Sequence, residues 1–205
     1  MSHFDLKQSL EWDKKRQIAA EAAKLVEDGD TVLLDGGSTT YELARALAGR
    51  PLQVVTNSLP VAMLFSSSDT VDLVLVGGYV HRRTGVSMGP YANQMLAELS
   101  VRRAVLSVAG INERGYYNSN LLLVETERAM MNAADEVIVV ADSTKFGRTC
   151  LSHLCELGKA QVLVTDGDIC PRWQLAVTKA GVRLVVAESP SGTGSSSVSE
   201  SGRAD

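Results

Sequence analysis

Residues 31–47 read TVLLDGGSTTYELARAL. A short apolar run stops at Asp35, a turn of two glycines and three hydroxyl residues follows, and apolar residues then recur with helical spacing from Tyr41. A strand, a glycine-rich turn and a helix form the unit with which α/β proteins point backbone N–H groups at an anion. The stretch therefore predicts an α/β fold and, at the turn, a site for a small phosphorylated ligand.

The turn offers three kinds of group to such a ligand. The first N–H groups of a helix lack intrahelical partners and carry partial positive charge, and the two glycines allow a ligand to approach the backbone. Ser38, Thr39 and Thr40 add hydroxyl donors, whereas Asp35 accepts when ionised and suits sugar hydroxyls. The alternative is an ordinary strand-to-helix turn in which a Ser or Thr side chain only caps the helix. The turn has neither Walker A nor dinucleotide-fingerprint spacing.

Composition restricts the class of protein. The 205 residues include 45% hydrophobic and 21% charged residues and carry a net charge of −4, as expected of an ordinary globular chain with a real core. The acidic balance argues against nucleic-acid binding by this chain alone. The sequence has no apolar run of membrane-spanning length and no signal peptide, and its three cysteines fit neither a disulfide framework nor a zinc site. We therefore expect a cytoplasmic protein with no metal and no cofactor.

Helical and strand-like patterns alternate along the chain. Helical spacing occurs over residues 11–27, 41–47, 58–65, 91–99, 124–134 and 171–180. After the first strand, runs rich in Val and Leu lie at residues 53–56, 71–76, 104–108, 137–140, 161–165 and 183–186. Because these runs show little polar alternation, they predict strands buried on both faces. The pattern predicts a Rossmann-like α/β fold, with a mostly parallel sheet and helices on both faces.

Polar residues or glycines follow most of the predicted strands. In an open α/β sheet, ligands bind beyond the carboxyl ends of the strands. These ends carry residues 35–40, Thr56 and Asn57, Gly77 and Gly78, and residues 142–145. Turn residues also follow the strands of a purely structural sheet, but the set as a whole favours a hydroxylated, anionic ligand.

Two charged residues and two segments near these ends have alternative interpretations. Lys145 either pairs with phosphate as a point charge or is a solvated loop lysine. Glu125 either contacts the ligand or is a first-turn acid that the helix dipole stabilises by about 0.3–1 kcal/mol. Residues 81–83 (HRR) are a mobile basic loop over the site or a solvated hairpin, and residues 112–120 (NERGYYNSN) read as a long surface loop.

In this order, the strand-end segments resemble the C-terminal sensor domain of the DeoR family of bacterial transcriptional repressors. The matching stretches, within residues 15–168, are DGDTVLLDGGSTTYELARAL, VVTNSLPVA, LVLVGGYV, VETERAMM, and VVADSTKFGR followed by VLVTD. The resemblance implies a fold like that of ribose-5-phosphate isomerase and the CoA transferases. It also implies an effector site lined by Asp35, Gly36, Gly37, Ser38, Thr39, Thr40, Thr56, Asn57, Gly77, Gly78, Glu125, Asp142 and Lys145. Gly37-Ser38 stands where Gly-Thr is commoner, a mild change because both offer a hydroxyl.

Family members carry an N-terminal winged helix-turn-helix that binds DNA. Only about ten residues precede the first predicted helix, too few for this module, so we interpret the chain as part of a longer repressor or as a stand-alone sensor. The domains are then a lead-in (residues 1–10), an effector-binding α/β domain (residues 11–187) and a flexible tail (residues 188–205) whose Ser and Gly cannot bury enough surface to order it.

The leading hypothesis is the ligand-sensing domain of a bacterial transcriptional regulator, which binds a phosphorylated sugar or related metabolite and has no catalytic residues. We expect a homo-oligomer that does not bind membranes and contacts DNA only through the winged helix-turn-helix. The alternative is a sugar-phosphate isomerase. In that enzyme Glu125 or Asp35 would be the base, and Lys145 would stabilise an enediolate.

Overall fold

Strands and helices alternate along the chain in the predicted order. The computed structural model describes residues 12–187, and the predicted lead-in (residues 1–10) and tail (residues 188–205) lie outside the described residues. The helices are α1 Trp12–Ala23, α2 Ser38–Leu47, α3 Leu59–Phe65, α4 Pro90–Ala97, α5 Leu121–Asn132 and α6 Pro171–Lys179, with short 3-10 helices at Ser143–Lys145 and Leu157–Lys159. The strands are β1 Thr31–Leu34, β2 Leu52–Thr56, β3 Val71–Leu75, β4 Tyr79–His81, β5 Val86–Met88, β6 Val101–Ser107, β7 Gly110–Asn112, β8 Gly115–Asn118, β9 Ala134–Val140, β10 Ser152–Cys155, β11 Val162–Asp166 and β12 Arg183–Ala187.

Seven strands form one parallel sheet in the order β12-β11-β9-β6-β1-β2-β3. Every neighbouring pair in this sheet is parallel. From β1 the chain proceeds outward through β2 and β3, and it then returns to the other side of β1 to form β6. The sheet therefore has a topological switch point between β1 and β6. The predicted Rossmann-like α/β fold with a mostly parallel sheet is confirmed.

The helices cover both faces of this sheet. On one face, α1, α2 and α3 pack against inward-facing residues such as Leu34 and Val105. On the other face, α4, α5 and α6 pack against residues of the same strands, among them Leu33 and Leu106. Since a strand alternates its side chains between the two faces, both faces of a strand buried between two helical layers must be apolar. Each large side chain so buried contributes about 1.5–3 kcal/mol.

Two small antiparallel sheets lie outside the main sheet, and the predicted surface loop at residues 112–120 is wrong. Strands β7 and β8 form a hairpin there, and β10 pairs with β8. The two tyrosines are buried: Tyr116 belongs to the hydrophobic core, and the ring of Tyr117 packs edge-on against His153. Gly115 has a φ of +136°, and a β-carbon there would lie 1.9 Å from the carbonyl oxygen of Cys155.

The second small sheet is the hairpin of β4 and β5. Its turn contains Arg82 and Arg83, both exposed, so the solvated-hairpin interpretation of residues 81–83 is confirmed. No helix within residues 12–187 has the length and apolar character needed to cross a membrane.

Candidate functional site

A cavity of about 470 Å³ lies beyond the carboxyl ends of β1 and β6. This is the switch point, where open α/β sheets bind ligands. A larger and shallower groove of about 680 Å³ lies between the β7–β8 turn and α6. That groove contains none of the predicted effector-site residues, so the cavity at the switch point is the candidate site.

The cavity wall combines predicted and unpredicted residues. The predicted ones are Asp35, Gly36, Gly37, Ser38, Thr39, Asp142 and Lys145. The others are Lys15, Thr84, Val86, Ser107, Val108, Ala109, Asn118, Leu123, Glu127, Thr144 and Arg148. Five separate parts of the chain therefore meet at this point: α1, the β1–α2 turn, the β4–β5 hairpin, the segment from β6 to α5, and residues 142–148.

The start of α2 faces this cavity without a side-chain cap. The N-cap residue is Gly37, and no side chain of residues 12–187 caps the helix there. Ser38 and Thr39 begin the helix instead of capping it, so the interpretation in which a Ser or Thr only caps α2 does not hold. The first-turn N–H groups of a helix carry the positive end of its dipole. Two of these groups belong to Ser38 and Thr39, which line the cavity.

Both glycines of the turn are required by close packing. A β-carbon at Gly37 would lie 1.6 Å from Ser107 Oγ, and one at Gly36 would lie 2.1 Å from Val86 Cγ2. Neither position has space for a side chain, because β6 lies behind the turn and the β4–β5 hairpin lies over it. The turn is held in one place by its neighbours on two sides.

Asp35 is buried and its carboxylate accepts hydrogen bonds from four donors. Oδ1 accepts from Gly37 N–H at 2.9 Å and from the Thr40 hydroxyl. Oδ2 accepts from Ser107 N–H at 2.8 Å and from the Ser107 hydroxyl at 3.0 Å. A carboxylate has about four lone-pair sites, so protein donors fill this one. Burial raises the pKa of Asp35, and the four hydrogen bonds oppose that rise.

Five predicted residues lie behind the cavity wall or away from it: Thr40, Thr56, Asn57, Gly77 and Gly78. Thr40 is fully buried against Asp35. Thr56 Oγ1 donates to the Leu34 carbonyl at 2.8 Å, and Asn57 Nδ2 donates to the Ser87 carbonyl at 2.8 Å. A β-carbon at Gly78 would lie 2.9 Å from Ser87 Oγ. The Asn57 hydrogen bond attaches the β4–β5 hairpin to the end of β2, and this hairpin contributes Thr84 and Val86 to the wall.

Glu125 is exposed and does not line the cavity, whereas Glu127, two residues later on α5, is buried and does. The helical period explains the difference. Glu127 lies three residues after Val124 and three before Met130, and all three are buried. An acid in phase with the apolar face of a helix is the sequence signal that would have found it.

The Glu127 carboxyl group has one hydrogen-bonded oxygen. Asn118 Nδ2 donates to Oε1 at 2.6 Å, while Oε2 is buried and has no hydrogen-bond partner among the described residues. Burial, together with the negative charge of Asp35, raises the pKa of Glu127 well above its ordinary value, and the Asn118 hydrogen bond acts in the opposite direction.

Asp142 presents a second buried oxygen of this kind. Its Oδ1 accepts from Thr144 N–H at 3.1 Å and from the Thr144 hydroxyl. Its Oδ2 finds no hydrogen-bond donor within the part of the chain that the structure describes, although Lys145 Nζ lies 3.6 Å away as an ion pair. The same cavity is lined by three basic residues, Lys15, Lys145 and Arg148. A buried oxygen without a hydrogen-bond donor, such as Asp142 Oδ2, can accept a hydrogen bond from a ligand.

Helix α1 contacts the segment that holds Asp142 and Lys145. Lys14 Nζ lies 3.2 Å from Ser143 Oγ and 2.9 Å from Asp168 Oδ2. Ser143 N–H donates to Asp166 Oδ2 at 2.6 Å. The next residue of α1, Lys15, is buried in the cavity wall, so consecutive side chains of this helix contact the cavity and the turn beside it. Across residues 12–187, no group of three His, Cys, Asp or Glu side chains is placed to hold a metal ion.

The fold and the cavity define a Rossmann-like α/β domain with a polar cavity at its switch point. A family model described as the DeoR C-terminal sensor domain matches residues 11–167. The chain belongs to this family.

Its relatives are named as transcriptional regulators. The lactose phosphotransferase system repressor of Lactococcus lactis subsp. lactis is 33% identical over 171 residues, which is 81% of this chain and 66% of that protein. The uncharacterized HTH-type transcriptional regulator YulB of Bacillus subtilis (strain 168) is 31% identical over 170 residues, 82% of this chain and 66% of that protein. The chain therefore spans slightly less than two thirds of the length of these two relatives.

Solved structures support the fold alone. The β subunit of eIF2B from Chaetomium thermophilum has a TM-score of 0.53 at 15% identity, covering 74% of this chain and 48% of that one. Ribose-5-phosphate isomerase A from Neisseria gonorrhoeae is a structural neighbour with a TM-score of 0.47 at 15% identity, covering 64% of this chain and 52% of that one. The likeness to the isomerase is too weak to carry an argument about activity.

Proposed function

We propose that this domain senses a phosphorylated sugar or a related metabolite for a bacterial transcriptional regulator, and that the cavity at the switch point is its effector site. Family membership and the relatives named as regulators support the regulatory role. One of those relatives is named for a lactose phosphotransferase system, which agrees with a carbohydrate-linked effector. The observation that carries the proposal is the start of α2, which has no side-chain cap, in a cavity that also holds three basic residues and two buried carboxyl oxygens without a hydrogen-bond partner among the described residues.

These groups divide between the two halves of such a ligand. The N–H groups and hydroxyls of Ser38 and Thr39 bind the phosphate, where a helix N-terminus favours an anion by about 0.3–1 kcal/mol and by up to ~2 kcal/mol when partly buried. Lys145 compensates the phosphate charge as a point cation. Asp142 and Glu127 face the hydroxylated part. Asp35 holds the turn instead of reading the sugar, because protein donors occupy its lone pairs.

An isomerase is the weaker interpretation of this geometry. A catalytic base must lie within hydrogen-bond reach of the proton that it abstracts. Glu125 is exposed outside the cavity, and Asp35 has its lone pairs filled. Neither of the two bases predicted from the sequence is therefore placed to act. Because the relatives are named as transcriptional regulators, we propose that the domain binds its ligand without converting it.

Effector binding regulates transcription only if it changes an equilibrium. A ligand shifts the population between two arrangements of a protein when it binds them unequally. We propose that the two arrangements differ in the association of the chain as a homo-oligomer, and hence in the spacing of winged helix-turn-helix modules of the kind that the DeoR family carries. DNA is then contacted by those modules and not by this domain.

A binding screen tests the proposal. Sugar phosphates, the matching free sugars and inorganic phosphate would each be added while the melting transition is followed. A ligand at a hundred times its Kd stabilises the folded state by about 2.7 kcal/mol, a visible rise in melting temperature. Absence of any shift with a well-folded protein would contradict the proposal. Incubating a bound sugar phosphate in D2O, followed by NMR, separates the two functions: deuterium exchange indicates an isomerase, and binding without exchange indicates a sensor.

A further inference from the structure

Three buried acids line the cavity, and two of them, Asp35 and Glu127, differ in what they can offer a ligand. Asp35 accepts hydrogen bonds from Gly37, Thr40 and Ser107 that occupy both of its oxygens. Glu127 has a hydrogen bond only on Oε1, and its Oε2 is buried and unpartnered by any described residue. A buried polar atom left without a partner costs free energy, and a hydrogen bond between a ligand atom and Glu127 Oε2 would recover that cost.

We propose that Glu127 is the acid that recognises the effector, and that it does so as a neutral carboxylic acid whose Oε2–H donates a hydrogen bond to a ligand oxygen. This inference rests on the proposed function and adds to it a named donor and its protonation state. The class of ligand group that fits is an acceptor oxygen, such as a carbonyl, a ring oxygen or a hydroxyl oxygen of the sugar.

The hydrogen bond from Asn118 fixes the direction in which the proton points. Its amide N–H donates to Oε1 at 2.6 Å, so Oε1 is the accepting oxygen of the carboxyl group. In a neutral carboxylic acid the other oxygen carries the proton. The proton is therefore on Oε2, the oxygen that is buried and has no hydrogen-bond partner among the described residues.

Burial and the negative charge of Asp35 favour the neutral form of Glu127. Charged and titratable groups face the cavity or this residue from four elements: Lys15, Asp35, Asp142, Lys145, Arg148 and Cys155. Burial is the main cause of the raised pKa of Glu127, and the negative charge of Asp35 acts in the same direction. Because a like charge and burial both disfavour a second carboxylate, the proton stays on Glu127.

A neutral Glu127 also suits an anionic ligand. Three basic residues, Lys15, Lys145 and Arg148, line the cavity, and a neutral Glu127 does not offset their positive charge. Ionisation of Glu127 would add a negative charge next to the phosphate. The same proton thus gives the sugar a donor and removes a repulsion for the phosphate.

Substitution by glutamine and by alanine distinguishes a donor from an acceptor at this position. In Glu127→Gln the amide oxygen takes the Asn118 hydrogen bond and the NH2 group replaces Oε2–H. We expect the Kd for the best sugar phosphate of the screen to stay within about 3-fold of the wild type in Glu127→Gln and to rise roughly 10- to 100-fold in Glu127→Ala. Glu125→Gln, on the same helix but exposed, is the matched control and should leave the Kd unchanged.

The outcomes separate this inference from the proposed function. If Glu127→Gln loses as much affinity as Glu127→Ala while both variants melt cooperatively, Glu127 is an acceptor and the inference is wrong. If the wild type binds no sugar phosphate, the proposed function itself is wrong. In the ligand-free protein, the side-chain carboxyl 13C resonance that Glu127→Gln removes should report a protonated acid at neutral pH. A carboxylate resonance there would overturn the inference without reference to any ligand.

Discussion

Ser107 donates two hydrogen bonds to one oxygen of Asp35, from its backbone N–H at 2.8 Å and from its hydroxyl at 3.0 Å. Asp35 follows β1 and Ser107 ends β6, so these bonds join two neighbouring parallel strands across the switch point of the sheet. They compete with any ligand donor for the same carboxylate. Asp35 therefore determines the shape of the cavity, because its carboxylate accepts hydrogen bonds from protein groups and not from a ligand.

Replacing the carboxylate of Asp35 should destabilise the fold. In Asp35→Asn one oxygen becomes an NH2 group that faces two protein donors, and those buried donors lose their acceptor. We expect a loss of about 3 kcal/mol in the free energy of unfolding, measured by urea denaturation. Asp72→Asn, on the exposed side of β3, is the control and should change the value by less than about 0.5 kcal/mol. A comparable loss in both variants would contradict the assigned role of Asp35.

Gly37→Ala should destabilise the protein and distort the cavity. The added β-carbon would lie 1.6 Å from Ser107 Oγ, and overpacking of this kind costs about 1–3 kcal/mol. Gly77→Ala is a matched control because no described atom lies within 4 Å of its β-carbon position. We expect Gly77→Ala to keep both its stability and its ligand affinity. Equal melting temperatures for the two variants would contradict the claim that the turn has no space for a side chain at Gly37.

Stability should depend on pH through Glu127. Its folded pKa lies above its ordinary value, so the folded state retains a proton that the unfolded state releases. The free energy of unfolding therefore falls as pH rises from the unfolded pKa through the folded pKa. We expect Glu127→Gln to become more stable relative to the wild type as pH rises above the ordinary pKa of a glutamate, as measured by urea denaturation at each pH. A parallel decline in wild type and Glu127→Gln would assign the pH dependence to other groups.

Lys145→Ala should weaken binding of a phosphate ester more than that of the matching free sugar. The lysine pairs with the phosphate charge, so its removal should cost roughly 10-fold in the Kd of the ester. Lys159→Ala removes an exposed lysine that does not line the cavity and serves as the control. Titration calorimetry of both ligands with both variants gives the comparison. Equal losses for ester and free sugar would argue against a phosphate contact.

Lys14→Met should loosen α1 from the segment beside the cavity. The variant keeps an apolar stem but loses the ammonium that contacts Ser143 and Asp168. We expect faster amide exchange in the first turns of α1, measured by hydrogen–deuterium exchange and mass spectrometry. The control is Lys24→Met. Lys24 lies just after α1 and forms an exposed ion pair with Glu21, and its replacement should leave that exchange unchanged.

The main sheet could be predicted because its strands are buried on both faces and therefore read as apolar runs. The small sheets could not, since strands such as β4 and β7 are only three residues long and show no period. Residues 112–120 look polar, yet packing of their tyrosine rings outweighs that composition. Short strands form because of the residues that they pack against. Those residues are distant in the sequence, so a local sequence pattern does not predict such strands.

The location of the candidate site could be predicted from the sequence, but the role of each residue in it could not. Residues 35–39 lie at the end of a strand, and strand ends define that region without further information. The donors that saturate Asp35 include Ser107, 72 positions away, and sequence spacing gives no sign of such a contact. Glu127 was open to prediction from its helical phase with Val124 and Met130, whereas the motif VETERAMM drew attention to Glu125.

The position of α1 has a practical consequence for engineered sensors. A fluorescent protein or a DNA-binding module fused ahead of Trp12 would be attached about one helical turn from Lys15 in the cavity wall. A module fused after Ala187 would instead be attached to β12, the outermost strand, three strand spacings or roughly 14 Å from β6. The end chosen for fusion should decide how strongly the output signal follows the occupancy of the cavity.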